Sequence, residues 1–106
     1  MNESVPYEIM NQLTMSNNGM GRLKAMVGAK NFVVHNNYSG ISFKFANKGA
    51  RQPNYIKITL NAMDTYDVEF GRIWGMDYKV IEKLEGIYND QLKELFEKCT
   101  GLYLSL

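Results

Sequence analysis

Residues 55–70 read YIKITLNAMDTYDVEF, and this stretch decides the fold. Apolar and polar residues alternate near both of its ends, with the period of two that is typical of strands with one buried face. Antiparallel pairing across residues 61–65 places Ile58 opposite Val68 on the buried side and Lys57 opposite Glu69 on the other. A slip of one residue would move the apolar side chains to the polar side, so the pattern predicts a hairpin in a single register.

The chain before this hairpin continues the sheet and begins with helices. Alternation over residues 31–35 and 41–45 predicts two further strands, and a polar loop over residues 47–54 leads into the hairpin. Apolar residues at helical spacing predict a first helix that starts after Ser4 and a second helix over residues 20–27. The first half of the chain is therefore predicted to form two short helices followed by a pair of strands.

The chain after the hairpin allows two interpretations. Residues 77–84 form either a fifth strand, after a turn at Gly75, or an early start of the final helix. Gly86 disfavours one continuous helix, so we favour the strand. A last helix, capped by Asn89 or Asp90, is then predicted to bury a stripe of Tyr88, Leu92, Leu95, Phe96 and Cys99.

Together these elements predict an α+β fold in a single domain over residues 1–106. Its parts are N-terminal short helices, a four- to five-stranded antiparallel sheet and a C-terminal helix packed on one face. The chain of 106 residues has room for one core. Its single cysteine, Cys99, excludes a scaffold held by internal disulfides and favours a reducing cytoplasm. No apolar run approaches the roughly 20 residues of a membrane span, so we expect no membrane role.

The charges are divided between the two halves of the chain. No Asp or Glu lies between Glu8 and Asp64, and from Asp64 onward nine acidic residues accompany five basic ones. The seven basic residues in the acid-free stretch are Arg22, Lys24, Lys30, Lys44, Lys48, Arg51 and Lys57. Such asymmetry indicates a nucleic acid or another acidic partner, or else two halves that neutralise each other on packing.

The residue types that carry catalysis or bind metals are few and lack partners in the sequence. Cys99 lies on the predicted buried stripe, and the single histidine, His35, ends a predicted strand. One cysteine and one histidine are too few for a zinc site of four ligands. Asp64, Asp67 and Glu69 form the most enzyme-like cluster, but a cross-strand lysine accounts for Glu69. We therefore expect no enzyme, no catalytic residue, no metal site and no cofactor.

The loop between the second and third strands is the strongest candidate for a binding site. It carries two cations, and the strands that it joins expose two more on their polar face. Cations that contact phosphates, beside aromatic rings that stack on bases, are how sheet surfaces hold single-stranded nucleic acid. The predicted nucleic-acid-binding residues are Lys44, Lys48, Arg51, Tyr55 and Lys57.

Several segments, taken as a set, resemble a family of short bacteriophage and prophage proteins of unknown function. These segments are Gly28–Val33, Ile41–Phe45, Tyr55–Leu60, Asp64–Phe70, Ile87–Asp90 and Thr100–Tyr103. The resemblance implies a phage or prophage origin and action in the cytoplasm of an infected bacterium. It transfers no functional residue, although nucleic-acid handling and inhibition of host factors are common roles of small phage proteins.

Two functional hypotheses follow. The first is a non-enzymatic phage or prophage accessory protein that binds nucleic acid through the basic loop and the adjoining sheet face. The alternative is a protein-interaction module, such as a host-factor inhibitor or a virion component, that uses exposed tyrosines, methionines and Trp74. Under either hypothesis we expect a homo-oligomer, because a small core and an exposed edge strand both favour self-association.

Overall fold

A computed structural model describes residues 5–15, 19–35, 39–47 and 52–102. Helix α1 spans Val5–Thr14 and α2 spans Gly19–Val27. The strands are β1 (Lys30–His35), β2 (Gly40–Lys44), β3 (Tyr55–Leu60), β4 (Tyr66–Trp74) and β5 (Asp77–Ile87). A 3₁₀ turn over Asn89–Gln91 leads into α3, Leu92–Thr100. The α+β class predicted from the sequence is confirmed. Ser4, Lys48 and Arg51 lie outside the described residues.

The five strands form one sheet in the order β1-β2-β3-β4-β5, and each is antiparallel to its neighbours. The predicted hairpin register is confirmed, because Ile58 pairs with Val68 and Lys57 pairs with Glu69. Each side chain in this register faces the environment that its polarity favours. The central hairpin is thus fixed by both faces of the sheet at once.

The second hairpin, β4–β5, is longer than predicted. The strand interpretation of residues 77–84 is confirmed, and β5 continues to Ile87 after a turn at Gly75 and Met76. Gly86 lies in a β-bulge opposite β4 and has a φ of 70°. The bulge accommodates this residue, so the strand continues past it. The final helix consequently starts later than predicted, and Tyr88 is exposed rather than part of the buried stripe.

The helices cover one face of the sheet, which we call the helix face, and leave the other as the open face. Inward residues of β2, β3 and β4 pack with Ile9 and Leu13 of α1 and with Phe96 of α3. The Phe96 ring meets the Phe45 ring edge-on, with centroids 5.0 Å apart. Complete burial of a side chain of this size contributes about 1.5–3 kcal/mol, so this contact helps fix α3 against the sheet.

Both outer strands of the sheet are irregular. In β1 an extra residue lies between the pairs of Lys30 and Val33, and Asn31 has a φ of 58°. In β5 extra residues lie at Ile81 and at Gly86. Such bulges bend a strand and interrupt its ladder of hydrogen bonds. Neither free edge of the sheet is therefore a regular strand.

Candidate nucleic-acid interface

Three of the five predicted binding residues lie together on the open face. Lys44 at the end of β2 pairs directly with Tyr55 at the start of β3. Lys57, two residues further along β3, pairs with Ser42. All three side chains are half-buried along the strands. The open-face residues His35, Ser42, Lys44, Tyr55 and Lys57 are called the basic half below, while Lys48 and Arg51 are outside the described residues.

The ends of the basic loop are held by an arginine that sequence reasoning missed. One guanidinium nitrogen of Arg72 donates to the carbonyl oxygens of Asn47 (3.1 Å) and Gln52 (2.9 Å). The Asn47 amide in turn donates to the carbonyl oxygens of Pro53 (3.0 Å) and Thr100 (3.2 Å). The loop therefore begins and ends at a fixed base beside α3. No sequence signal points to this role, because it depends on how the folded chain brings Asn47 and Gln52 to Arg72.

The acidic residues of the open face lie on β4 and β5. Glu69 accepts a hydrogen bond from the Tyr78 hydroxyl (2.7 Å) and lies 3.9 Å from the Lys83 ammonium group. Asp67 accepts a hydrogen bond from the Asn61 amide at 3.0 Å. These partners all belong to the second half of the chain. Asp67 and Glu69 are thus each held by partners from the second half of the chain.

The two lysines of the basic half have no such partners. Lys57 lies directly opposite Glu69, yet among the described residues no carboxylate is within salt-bridge distance of Lys57 or Lys44. The prediction that Lys57 is the cross-strand neighbour of Glu69 is confirmed, while the salt-bridge partner of Glu69 is Lys83. Glu69 is drawn instead to β5, where a tyrosine and a lysine both reach it. Neither lysine forms a salt bridge within the described part of the chain, although Lys57 lines the same open-face groove as Asp67, Glu69 and Glu85.

A tyrosine of β5 extends the aromatic surface beside the basic half. The Tyr78 ring lies over Gly71, where a Cβ atom would overlap its ring carbons and hydroxyl. It meets the Tyr55 ring edge-on, with centroids 5.3 Å apart and planes at 78°. Burial and the neighbouring Glu69 raise the pKa of the Tyr78 phenol above its ordinary value of 10.0. Tyr78 therefore remains a neutral hydrogen-bond donor at physiological pH.

The single histidine has a partner that the sequence did not reveal. The Nε2 atom of His35 lies 2.6 Å from the hydroxyl oxygen of Ser42, which is only 1% exposed. Burial, and then the positive charge of Lys57, hold the pKa of the His35 imidazole below its ordinary value of 6.5. His35 thus belongs to the same electrostatic group as the lysines.

The enzyme-like candidates do not assemble into a site. Asn61 organises the turn before β4, because its side-chain oxygen accepts the Met63 N–H at 2.8 Å. Among the described residues, no three His, Cys, Asp or Glu side chains are grouped closely enough to hold a metal ion. The Cys99 thiol donates to Glu82 at 3.3 Å, and burial together with this contact raises the pKa of the thiol to about 11. Cys99 is therefore a poor nucleophile near neutral pH.

A second surface feature is the end of the β4–β5 hairpin, residues 74–78, which we call the hairpin tip. It extends past β3, and Asn54 supports its base by donating to the Ile73 carbonyl (2.9 Å) and accepting the Ile73 N–H (2.8 Å). Trp74 is 49% exposed and Met76 is fully exposed. An apolar group of this size at the surface is a candidate contact site for another molecule.

No family model, curated protein or solved structure matches this chain. The helices of the described ranges are all shorter or less apolar than a membrane span requires.

Proposed function

We propose that the protein is a non-enzymatic accessory protein of a phage or prophage that binds single-stranded nucleic acid through the basic half. The observation that supports this most is the pair of half-buried lysines, Lys44 and Lys57, that lack a carboxylate partner among the described residues. They flank Tyr55 on a sheet surface. The phage or prophage origin rests on the sequence resemblance described above, as does a cytoplasmic location in the bacterial host.

The chemistry of this surface suits an extended polyanion. A phosphate that binds a solvent-facing lysine releases condensed counterions, which favours association without any sequence preference. Aromatic side chains beside such cations stack on unpaired bases, and these bases are accessible only in a single strand. Lys48 and Arg51 stand between β2 and β3 in the sequence, and on that ground alone we include them as two further cations.

The salt dependence of binding tests this proposal quantitatively. We expect four phosphate contacts, one for each of the cations Lys44, Lys48, Arg51 and Lys57. Each contact with a single strand contributes roughly −0.7 to the slope of the logarithm of the binding constant against the logarithm of the salt concentration, so a slope of about −3 is expected. The measurement is fluorescence anisotropy of a labelled, mixed-sequence DNA strand of about 20 nucleotides. The double variant Lys44→Gln/Lys57→Gln should reduce the slope by about 1.4 and the affinity by about tenfold.

Two further variants complete the design. Replacing Lys48 and Arg51 together by Gln should cause a loss of similar size, because it removes the two loop cations. The matched control is Lys24→Gln/Lys98→Gln, which removes the same charge from exposed positions on α2 and α3 in the helix layer. Binding that is undetectable, that ignores salt, or that weakens equally in the control would overturn the proposal.

The hairpin tip supports a second candidate, a protein-interaction module, in line with the alternative from the sequence. Exposed Trp and Met side chains are the types enriched at protein interfaces. A second copy of the chain is one occupant, since the sequence also leads us to expect a homo-oligomer. Sedimentation should then show a concentration-dependent dimer that is lost in Trp74→Ser/Met76→Ser. A monomer at tens of micromolar would remove self-association from this candidate.

A further inference from the structure

We propose that His35 and Lys57 form a phosphate-binding subsite within the basic half, in which binding of the phosphate is coupled to protonation of the imidazole. The inference rests on the proposed function, because it assigns a specific phosphate contact and a pH response to the same surface. The ligand group is a phosphodiester of a nucleic-acid strand or a free phosphate anion. The experiment below separates these two sources.

The geometry brings the two cationic groups to one place. Ser42 pairs with Lys57 across β2 and β3, and its hydroxyl oxygen lies 2.6 Å from Nε2 of His35. Ser42 is therefore a shared neighbour of both side chains. The hydroxyl donates to or accepts from Nε2 of the neutral ring, depending on the tautomer, and accepts from the protonated ring, so a hydrogen bond is available in either state. Nδ1 of His35 makes no hydrogen bond to a described residue, and in the protonated ring it carries a hydrogen that an anion accepts.

The charged surroundings of His35 on the open face are mostly positive. β1 has one neighbouring strand, β2, which contributes Ser42 and Lys44, and β3 beyond it contributes Lys57. Across the sheet, His35 pairs in register with Gly40 on β2, which pairs with Thr59 on β3, which pairs with Asp67 on β4. The first carboxylate along this line of paired residues is therefore that of Asp67, which accepts a hydrogen bond from Asn61. The helices cover the other face, where Lys24 of α2 lies over the Phe32 ring.

The sign of the coupling follows from this arrangement. In the free protein, burial and the charge of Lys57 disfavour the imidazolium, so the pKa of His35 lies below 6.5. An anion between His35 and Lys57 offsets the charge of Lys57 and favours the imidazolium, so binding raises the pKa of His35. Linkage is reciprocal, so protonation of His35 strengthens binding of the anion by the same factor.

The first measurement follows His35 itself. Because the chain has a single histidine, one imidazole Hε1 resonance reports its titration by NMR. A saturating concentration of the DNA strand should raise the pKa of His35 in the wild type. In Lys57→Gln, the pKa of His35 in the free protein should already be higher than in the free wild type. Adding the strand to this variant should then raise the pKa by less than it does in the wild type. Inorganic phosphate alone, added at constant ionic strength, tests the free anion as the source.

The second measurement is the affinity for the same strand at about pH 5.5 and about pH 8, which bracket the ordinary histidine pKa. A phosphodiester keeps its charge over this range, so a change in affinity reports the protein. We expect binding at least about fivefold tighter at the lower pH. His35→Gln, which keeps a hydrogen-bonding group near Ser42 but does not titrate, should bind equally at both. The control Lys24→Gln/Lys98→Gln should retain the pH response.

The outcomes separate the inference from the proposed function. If the strand binds but the pKa of His35 stays unchanged, or His35→Gln retains the pH response, the subsite is wrong and the proposed function stands. If phosphate raises the pKa while no strand binds at either pH, the subsite is supported for free anions and the proposed function fails. If neither ligand shifts the pKa or binds, both fail.

Discussion

The contact between Gly71 and Tyr78 yields a prediction whose sign depends on a second residue. Gly71 lies on the open face of β4, and the Tyr78 ring covers the position of its missing side chain. In Gly71→Ala the new methyl group takes this space, and the ring must move away. The movement separates Tyr78 from both of its partners, Glu69 and Tyr55. The cost of the substitution is therefore the loss of these two contacts.

The magnitude follows from those contacts. The hydrogen bond from Tyr78 to Glu69 is worth about 1 kcal/mol at a site of this exposure. The edge-to-face pair with Tyr55 adds about 0.5–1.5 kcal/mol. Ala is more favourable than Gly within a strand by about 0.5–1 kcal/mol. Gly71→Ala should thus lower the free energy of unfolding by about 1 kcal/mol. In a Tyr78→Ala background only the preference for Ala over Gly remains. Gly71→Ala should there raise the free energy of unfolding by about 0.5–1 kcal/mol.

The assay is a double-mutant cycle. Urea unfolding of the wild type, both single variants and the double variant, followed by circular dichroism, should give a coupling energy of about 2 kcal/mol. Tyr78→Phe is the matched control, since it keeps the ring and removes only the hydroxyl. Gly71→Ala should be close to neutral there, because the loss of the ring pair with Tyr55, about 0.5–1.5 kcal/mol, is offset by the gain of about 0.5–1 kcal/mol from Ala. If Gly71→Ala changes stability equally, within about 0.5 kcal/mol, with and without Tyr78, then the ring does not lie on Gly71.

Two other predictions concern the polar contacts of Cys99 and Asn54. At about pH 8 the fraction of Cys99 in the thiolate form should be about a hundredfold lower than for a thiol with the ordinary pKa of 9.0. Because the thiolate is the reactive form, alkylation of Cys99 by iodoacetamide should be slow in the folded protein. Alkylation should be faster in Glu82→Gln, which removes the carboxylate beside the thiol. Alkylation at the rate of the unfolded chain would contradict this. Asn54→Ala removes both hydrogen bonds to Ile73, so amide hydrogen exchange at the hairpin tip should accelerate while the centre of β3 stays protected. The control is Asn54→Asp, which keeps only the acceptor. In this variant the Ile73 amide should still exchange slowly. Unchanged exchange in Asn54→Ala would show that the side chain does not support the tip.

The central hairpin was predictable because two independent patterns agree there. Apolar residues face the helices and charged residues face the opposite side in the same register, so Ile58 and Lys57 each constrain it. The last strand was ambiguous for a physical reason. Each bulge in β5 shifts the alternation by one residue, and the period of two is lost at Ile81 and again at Gly86. A sequence pattern with interrupted periodicity does not separate a bulged strand from the start of a helix.

The candidate site was predictable in position but not in its contacts. Alternation places Lys44 and Lys57 on one face, and the structure confirms this. The partner of Glu69, by contrast, depends on which side chains β5 brings near it, and this follows from the bulged register. The contact between His35 and Ser42 joins diagonal positions of the β1–β2 ladder, where His35 pairs with Gly40 and Ser42 pairs with Val33, and alternation within β1 does not give this register. Side-chain contacts across irregular strands are set by tertiary structure, which local sequence patterns do not encode.

The irregular outer strands have a consequence for this protein at high concentration. A segment that seeds a stack of chains needs about six regular residues with free hydrogen-bonding groups. The unbroken pairing at the outer end of β5 runs only from Asp77 to Val80, and that of β1 only from Val33 to His35. A second chain that paired with either edge strand would find its ladder of backbone hydrogen bonds interrupted at the next bulge. The sheet therefore ends in two edges that are poor templates for fibril growth.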